Sequence, residues 1–175
     1  MRSKLGRGIL KFIGLNLLVA VLYIVSGKFG LLYALPPGFS TIIWPASGIA
    51  LGAALVWGAI CYPGIFIGSF ALNLYVGYAG DTLAFNYLDF IIAAFIGASA
   101  VLQAAIGVYL VAKLIGLFDT LYEYKKILIF FCICGPGSAI VNTTLSNSFL
   151  LYNNVISSSE FWLSWLTWWV GDTIG

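Results

Sequence analysis

Residues 90–112, FIIAAFIGASAVLQAAIGVYLVA, form an uninterrupted stretch without a charged side chain, bounded by Asp89 and Lys113. A helix needs about 20 consecutive apolar residues to cross the hydrocarbon core of a bilayer, which is about 30 Å thick. The stretch therefore predicts a membrane-spanning helix. Because it is longer than the minimum, we expect this helix to be tilted.

The rest of the chain has the same apolar character. Of its 175 residues, 62% are hydrophobic and 8% are charged, whereas soluble domains average about 45–50% apolar and about 25% charged residues. A water-soluble globule and a disordered chain are therefore excluded. The formal net charge of +2 is too small for nucleic-acid binding, so the expected surroundings are a lipid bilayer.

Charged and turn-forming residues divide the chain into six predicted spans. Their approximate bounds are 8–27, 39–57, 62–78, 89–112, 127–151 and 161–175. The turn Pro36-Pro37-Gly38 separates the first two spans, and Pro63 opens the third, since proline is favoured in a first helical turn. The predicted fold is an all-α, polytopic transmembrane helix bundle. Residues 1–175 form one integral membrane domain with no soluble domain.

The last predicted span is short. Its residues cover about 22 Å at 1.5 Å per residue, less than the hydrocarbon core. We therefore expect the chain to be truncated within its sixth span.

The basic residues predict the orientation. With six spans and the N-terminus inside, seven of the eight lysines and arginines fall on the cytoplasmic side, and only Lys28 falls outside. The opposite orientation would violate the positive-inside rule. The sequence thus predicts a multi-pass protein of a cell membrane with a cytoplasmic N-terminus.

Residues that carry common chemistry are scarce. The chain has no histidine, the commonest metal ligand and general base. Its cysteines, Cys61, Cys132 and Cys134, have the spacing of neither a zinc site nor a disulfide framework, and we expect them to be buried packing residues. Since no nucleophile–base pair or phosphate-binding loop is present either, we expect neither enzymatic activity nor a metal or cofactor.

Small residues recur four positions apart. The pairs are Gly48 and Gly52, Gly64 and Gly68, Ala93 and Gly97, and Gly171 and Gly175. Helices in lipid associate by close backbone approach, which small side chains permit. Packing within the molecule is the expected role, and homodimerisation through one of these faces is the alternative.

Asp172 is the most informative single residue. It lies eleven positions beyond Phe161, about 17 Å into the bilayer by helix rise. A central aspartate costs about 2.5–3.5 kcal/mol on insertion scales, so it must face a partner or a cavity, or be protonated. Asn73 is predicted at a similar depth, and a neutral Asp172 hydrogen-bonded to Asn73 is the expected arrangement; Gln103 and Asn142 are further candidates. A ligand or ion site containing Asp172 is the alternative.

Two further features mark the predicted interior. Pro136, between two glycines, predicts a kink or break in the fifth span, and broken helices in transporters can bind substrates. Trp168 and Trp169 lie too deep to anchor the chain at the membrane surface. Aromatic rings beside Asp172 either fill space or hold an apolar or cationic ligand. Trp44 and Pro45, early in the second span, form the other special site.

The order of these motifs resembles a known family. LPPGFSTIIWPASGIALGAALVWG (35–58) and YPGIFIGSFALN (62–73) resemble the opening signature of the bacterial membrane-associated sensor domains of the first type, the MASE family, and WLTWWVGDTIG (165–175) resembles its second strong block. The resemblance spans nearly the whole chain. The residues that carry it are Pro36, Pro37, Gly38, Trp44, Pro45, Gly48, Pro63, Gly64, Gly68, Asn73, Trp168, Trp169, Gly171 and Asp172.

The resemblance implies a bacterial inner-membrane input module of about eight helices, joined to a cytoplasmic histidine kinase, diguanylate cyclase or phosphodiesterase that this chain does not contain. We expect its cavity between spans two, three, five and six to bind a small or membrane-borne signal. The residues predicted to bind this ligand are Trp44, Asn73, Gln103, Asn142, Trp168, Trp169 and Asp172. The alternatives are a substrate-binding subunit of a vitamin-type transporter and a membrane scaffold for a partner protein.

Overall fold

The computed structural model describes residues 2–35, 40–80, 86–116 and 123–175. The described residues form seven α-helices: α1 Arg2–Leu31, α2 Pro45–Trp57, α3 Tyr62–Gly80, α4 Tyr87–Leu114, α5 Tyr124–Ile129, α6 Gly135–Tyr152 and α7 Phe161–Ile174. The predicted all-α class is confirmed. The turn Pro36-Pro37-Gly38 lies outside the described residues.

Short irregular segments join some of these helices. A 3-10 turn, Gly58–Cys61, joins α2 to α3, and a π-helical turn, Phe130–Cys134, joins α5 to α6. Two-residue strands, β1 Ala34–Leu35 and β2 Ser40–Thr41, pair antiparallel between α1 and α2.

The structure does not support the prediction of six spans. Four helical stretches of the described chain are long and apolar enough to cross a membrane: Gly6–Leu31, Pro45–Tyr78, Tyr87–Leu114 and Tyr124–Tyr152. The predicted second and sixth spans correspond to α2 and α7, which have 13 and 14 residues. Each is about 20 Å long at 1.5 Å per residue, too short for a 30 Å core. The hydropathy of the sequence showed that these two segments are apolar, but it did not show where their helices begin.

The stretch Pro45–Tyr78 reverses direction at Gly58, whose φ of +65° is readily adopted by glycine. Contacts with α1 show the reversal. The beginning of α2 lies beside Gly30, and the following 3-10 turn lies beside Asn16. The chain then runs back along α1 until Leu72 of α3 contacts Gly27. Helix α2 is therefore antiparallel to α1, and α3 is parallel to it.

Close helix contacts explain one of the predicted small-residue pairs, Gly64 and Gly68. A Cβ atom at Gly64 would lie 2.6 Å from the carbonyl oxygen of Asn16, and one at Gly68 would lie 2.8 Å from Cβ of Tyr23. The Gly64 N–H also donates to Oδ1 of Asn16 at 2.6 Å. Gly64 and Gly68 thus pack α3 against α1 within one molecule, and Pro63 occupies the first turn of α3 as predicted.

The predicted interruption before Pro136 takes the form of the π-helical turn, after which Pro136 enters the first turn of α6. Proline has no N–H to donate, so a first helical turn accommodates it. Cys61 and Cys134 are buried, but Cys132 is exposed. The expectation of three buried cysteines was therefore wrong for Cys132, because its position on the π-helical turn faces outward.

Polar side chains join α6 to α7. Asn147 is fully buried; its Nδ2 donates to the Thr143 carbonyl at 3.0 Å, and its Oδ1 accepts from Oγ of Ser164 at 2.6 Å. Just before α7, the Glu160 carboxylate accepts hydrogen bonds from Oγ and N–H of Ser157 at 2.6 and 2.8 Å. These bonds lower the pKa of Glu160.

Candidate functional site

The two short helices, α2 and α7, meet inside the bundle. The Trp44 N–H, just before α2, donates to the Gly171 carbonyl at 3.0 Å, and Oγ of Ser47 donates to the Asp172 carbonyl at 2.9 Å. A Cβ atom at Gly171 would collide with the Thr41 carbonyl. Glycine at position 171 therefore lets the extended residues before α2 lie directly against α7.

The carboxyl group of Asp172 lies at this junction. The residue is only 9% exposed, and its Oδ2 accepts a hydrogen bond from Nδ2 of Asn142 at 2.9 Å. The Gln103 side chain of α4 also interacts with this carboxyl group. Asn142 in turn accepts from Oγ of Ser146 at 3.0 Å. Side chains from α4 and α6 thus hold a buried acidic group of α7.

A cavity adjoins this carboxyl group, and we call it the aromatic cavity. Its lining residues are Tyr23, Leu31, Thr41, Trp44, Asn73, Val76, Ile96, Asn142, Trp168 and Asp172. The volume open to the centres of water molecules is about 60 Å³. On the same measure, one water molecule needs about 10–15 Å³. The cavity therefore has room for several waters or a small ligand.

Five of the seven predicted ligand-binding residues line the aromatic cavity: Trp44, Asn73, Asn142, Trp168 and Asp172. The expected Asp172–Asn73 hydrogen bond is not among those found in the described chain; Asn142 takes that place. Asn73 instead donates from Nδ2 to the carbonyl and hydroxyl oxygens of Ser69, at 2.9 and 3.3 Å.

The other two predicted residues lie elsewhere. Trp169 is not among the residues that line the aromatic cavity. Its Nε1 donates to the Pro136 carbonyl at 3.0 Å, and its ring stacks on Trp165 with centroids 6.0 Å apart. It braces α7 against the beginning of α6. Gln103 lines a second cavity, on the other side of Asp172.

We call this second space the small-residue cavity, because α2 and α4 line it largely with glycine and alanine. The volume open to the centres of water molecules is about 210 Å³ in this cavity. Asp172 and Tyr23 line both cavities. The buried hydroxyl of Thr173, which also lines it, has no hydrogen-bond partner within the described residues. Asp172 and Tyr23 thus lie where the two cavities approach each other.

Sequence reasoning missed Tyr23 and Thr41. Tyr23 is 3% exposed, and its hydroxyl interacts with the side chains of Ser69 and Trp44. No spacing pattern distinguishes Tyr23 from the aromatic residues around it. Its signal is the facing glycine, Gly68, whose Cβ atom would meet the tyrosine.

One of three comparisons with known proteins finds a match. No curated protein and no solved structure matches the chain. A family model, MASE1, matches residues 15–175, which include every described residue that lines the aromatic cavity. With its long apolar helices, the chain is a multi-pass membrane protein, and it belongs to the MASE1 family of membrane sensor domains.

Proposed function

We propose that the aromatic cavity is the signal-binding site of an inner-membrane sensory module with a cytoplasmic N-terminus. A small or membrane-borne ligand binds between α2, α3, α6 and α7 and regulates a cytoplasmic output domain: a histidine kinase, a diguanylate cyclase or a phosphodiesterase. The module acts by binding and conformational change, without catalysis. The observation that carries this proposal is the buried Asp172 carboxyl group in a cavity between two short helices.

A buried carboxyl group at this place is more than a packing feature. Polar and ionisable groups inside a membrane are costly, and they usually face a bundle interior or a cavity. No lysine or arginine is among the described residues that line either cavity. Asp172 therefore has amide partners but no countercharge there, and this favours a role in ligand binding.

The contacts of α7 suggest how binding changes the output. The backbone of α7 is fixed to the beginning of α2 by the Trp44–Gly171 hydrogen bond, and its Asp172 side chain is fixed to Asn142 of α6. A ligand that competes for the carboxyl group favours another position of α7 relative to α6. Such a ligand shifts the balance between two conformations by its difference in affinity for them.

A transporter subunit is the second candidate. Transporters bind substrates where short or interrupted helices end near the middle of the membrane, and α2 and α7 meet inside the bundle in this way. Uptake of a solute by cells that express the protein would favour this function. Regulation of an output enzyme without net uptake would favour the sensor.

Replacement of Asp172 tests the sensory function. In the sensor connected to its output domain, Asp172→Asn removes the ionisable carboxyl group and keeps the size. Because coupling between sites typically corresponds to a five- to 150-fold effect, we expect basal or stimulated output to change by at least about fivefold. The measurement is product formation by the output domain in membrane vesicles.

Asp89→Asn is the matched control. Asp89 accepts the Asn86 N–H at 2.8 Å at the beginning of α4, outside both cavities. The same chemical change there should leave output unaltered, at equal protein level. Unchanged output in Asp172→Asn would contradict the sensory role of the site.

A further inference from the structure

Three aromatic side chains share the aromatic cavity with the Asp172 carboxyl group. Tyr23 comes from α1, Trp44 precedes α2, and Trp168 comes from α7. Trp168 lies one helical turn before Asp172, so both side chains are on the same side of α7. Three elements distant in sequence thus bring aromatic rings to one carboxyl group.

The polar group of Tyr23 already has partners in the bundle. Its hydroxyl interacts with the side chains of Trp44 and Ser69. These polar groups satisfy each other and leave the ring surfaces as the main contact that these residues offer. A ring face carries partial negative charge and attracts cations.

Two amides add directional contacts. Nδ2 of Asn142 donates to Asp172 at 2.9 Å, and Nδ2 of Asn73 donates to the Ser69 carbonyl. Oδ1 of Asn73 has no hydrogen-bond partner among the described residues, and Asn73 lines the cavity. A ligand with a hydroxyl or N–H group can donate to this oxygen.

Charge complementarity selects the sign of the ligand. The described residues that line the cavity include one carboxyl group and neither lysine nor arginine. An anionic ligand would meet an acidic group without a compensating cation, which is costly away from water. A ligand cation would supply the missing countercharge and contact the aromatic rings at the same time.

We propose that the aromatic cavity binds a small organic cation of the alkylammonium class that carries a hydrogen-bond donor. Its ammonium group lies between the rings of Trp44 and Trp168 and next to the Asp172 carboxylate, and its donor reaches Asn73. This inference rests on the proposed function of the same cavity and specifies the ligand class.

Choline is a suitable probe, because it joins a quaternary ammonium group to a hydroxyl. We expect it to bind the protein in lipid nanodiscs, measured by calorimetry or with radiolabelled probe. The neutral alcohol in which carbon replaces the choline nitrogen should bind at least about tenfold more weakly, since it keeps the shape and lacks the charge.

Variants locate the binding site. Asp172→Asn and Trp168→Leu should each weaken choline binding by at least about tenfold. Trp162→Leu is the matched control, because Trp162 lies on α7 but is 67% exposed and outside the cavity lining; it should bind choline normally. Thermal unfolding of each variant in nanodiscs identifies any loss that comes from misfolding.

The outcomes separate the ligand class from the sensory role. Equal binding of choline and its neutral analogue, absence of choline binding, or binding of sodium or potassium ions alone would each overturn the ammonium site. If Asp172→Asn still altered output in that case, the sensory function would stand with a different ligand. If choline bound as expected but Asp172→Asn left output unchanged, the cation site would stand and the sensory role would fail.

Discussion

Asp172 is tolerated inside the bundle because side chains from other helices receive it. Asn142 donates to its carboxyl group at 2.9 Å, and Gln103 interacts with it from α4. The sequence indicated that the interior must receive this group, since a central aspartate is costly in lipid. It did not identify the correct amide, because depth along a helix says nothing about rotation around it. Asn73 has a suitable depth and lines the cavity, but its amide bonds to Ser69.

Asn147 is another buried polar side chain that is hydrogen-bonded within the bundle, and its role is structural. It is fully buried, and it connects the Thr143 carbonyl to the Ser164 hydroxyl across α6 and α7. Asn147→Ala removes both bonds and leaves the half-buried Ser164 hydroxyl with one partner fewer. We expect the free energy of unfolding to fall by about 1–2 kcal/mol, measured by equilibrium unfolding in mixed micelles.

Asn153→Ala is the control for this prediction. Asn153 donates to the Phe149 carbonyl at 2.8 Å at the partly exposed end of α6, where water can replace the bond. Its loss should cost less than about 0.5 kcal/mol. Equal effects of the two variants would contradict a stabilising role of the buried α6–α7 contact.

At the level of helices, glycine positions determine how closely neighbours approach. Gly64 and Gly68 bring α3 against α1, and Gly171 brings α7 against the residues before α2. The four-residue spacing in the sequence correctly predicted close packing for Gly64 and Gly68. It could not tell which glycines make contacts, since Gly52 has nothing within 4 Å of its Cβ position.

Gly64→Ala tests this packing. Its Cβ would lie 2.6 Å from the backbone carbonyl of Asn16, so α1 and α3 must separate. Such overpacking typically costs about 1–3 kcal/mol of unfolding free energy. Unfolding in mixed micelles measures the loss.

Gly14→Ala is the matched control for the same substitution. Position 14 lies on α1 and has no atom within 4 Å of its Cβ position. Its unfolding free energy should stay the same or rise by up to about 1 kcal/mol, because alanine is the better helix former. A destabilisation as large as that of Gly64→Ala would mean that glycine loss itself, rather than helix contact, is responsible.

The sequence also predicted the apolar segments better than their helical lengths. The long charge-free stretch 90–112 lies entirely within α4. The second predicted span, 39–57, was wrong in its first part because α2 begins only at Pro45. The Thr41–Ile43 segment before it is extended or irregular. Irregular backbone is tolerated inside a membrane protein only where protein or a cavity surrounds it, and α7 provides that cover.

In the whole molecule, most of the described basic side chains lie at one end of the helix bundle. Arg7 and Lys11 lie near the beginning of α1, Lys113 lies at the end of α4, and Lys125 lies at the beginning of α5. The packing of α1, α3 and α4 brings these helix ends to one side of the bundle. Lys28 lies toward the opposite side. The proposed orientation, with a cytoplasmic N-terminus, is the one in which this arrangement obeys the positive-inside rule.

Cysteine labelling tests this orientation. In a variant without Cys61, Cys132 and Cys134, Ser158→Cys should react with an impermeant thiol reagent in intact cells. Lys125→Cys should react only after the membrane is permeabilised. Both original side chains are exposed, so access to the reagent depends on the side of the membrane. The reverse pattern would invert the topology.

Water access to the junction of α2 and α7 distinguishes a binding cavity from a sealed, packed interior. In the same cysteine-free background, Asn73→Cys places a thiol in the lining of the aromatic cavity, and Ile67→Cys places one on α3 at a position that is 51% exposed on the outer face of the bundle. The measurement is the rate of modification in lipid nanodiscs by a charged, water-soluble thiol reagent. Because the thiolate is the reactive form and needs a polar environment, we predict that Asn73→Cys reacts at least about tenfold faster than Ile67→Cys. Equal rates, or a faster reaction at position 67, would contradict a solvent-accessible binding cavity inside the bundle.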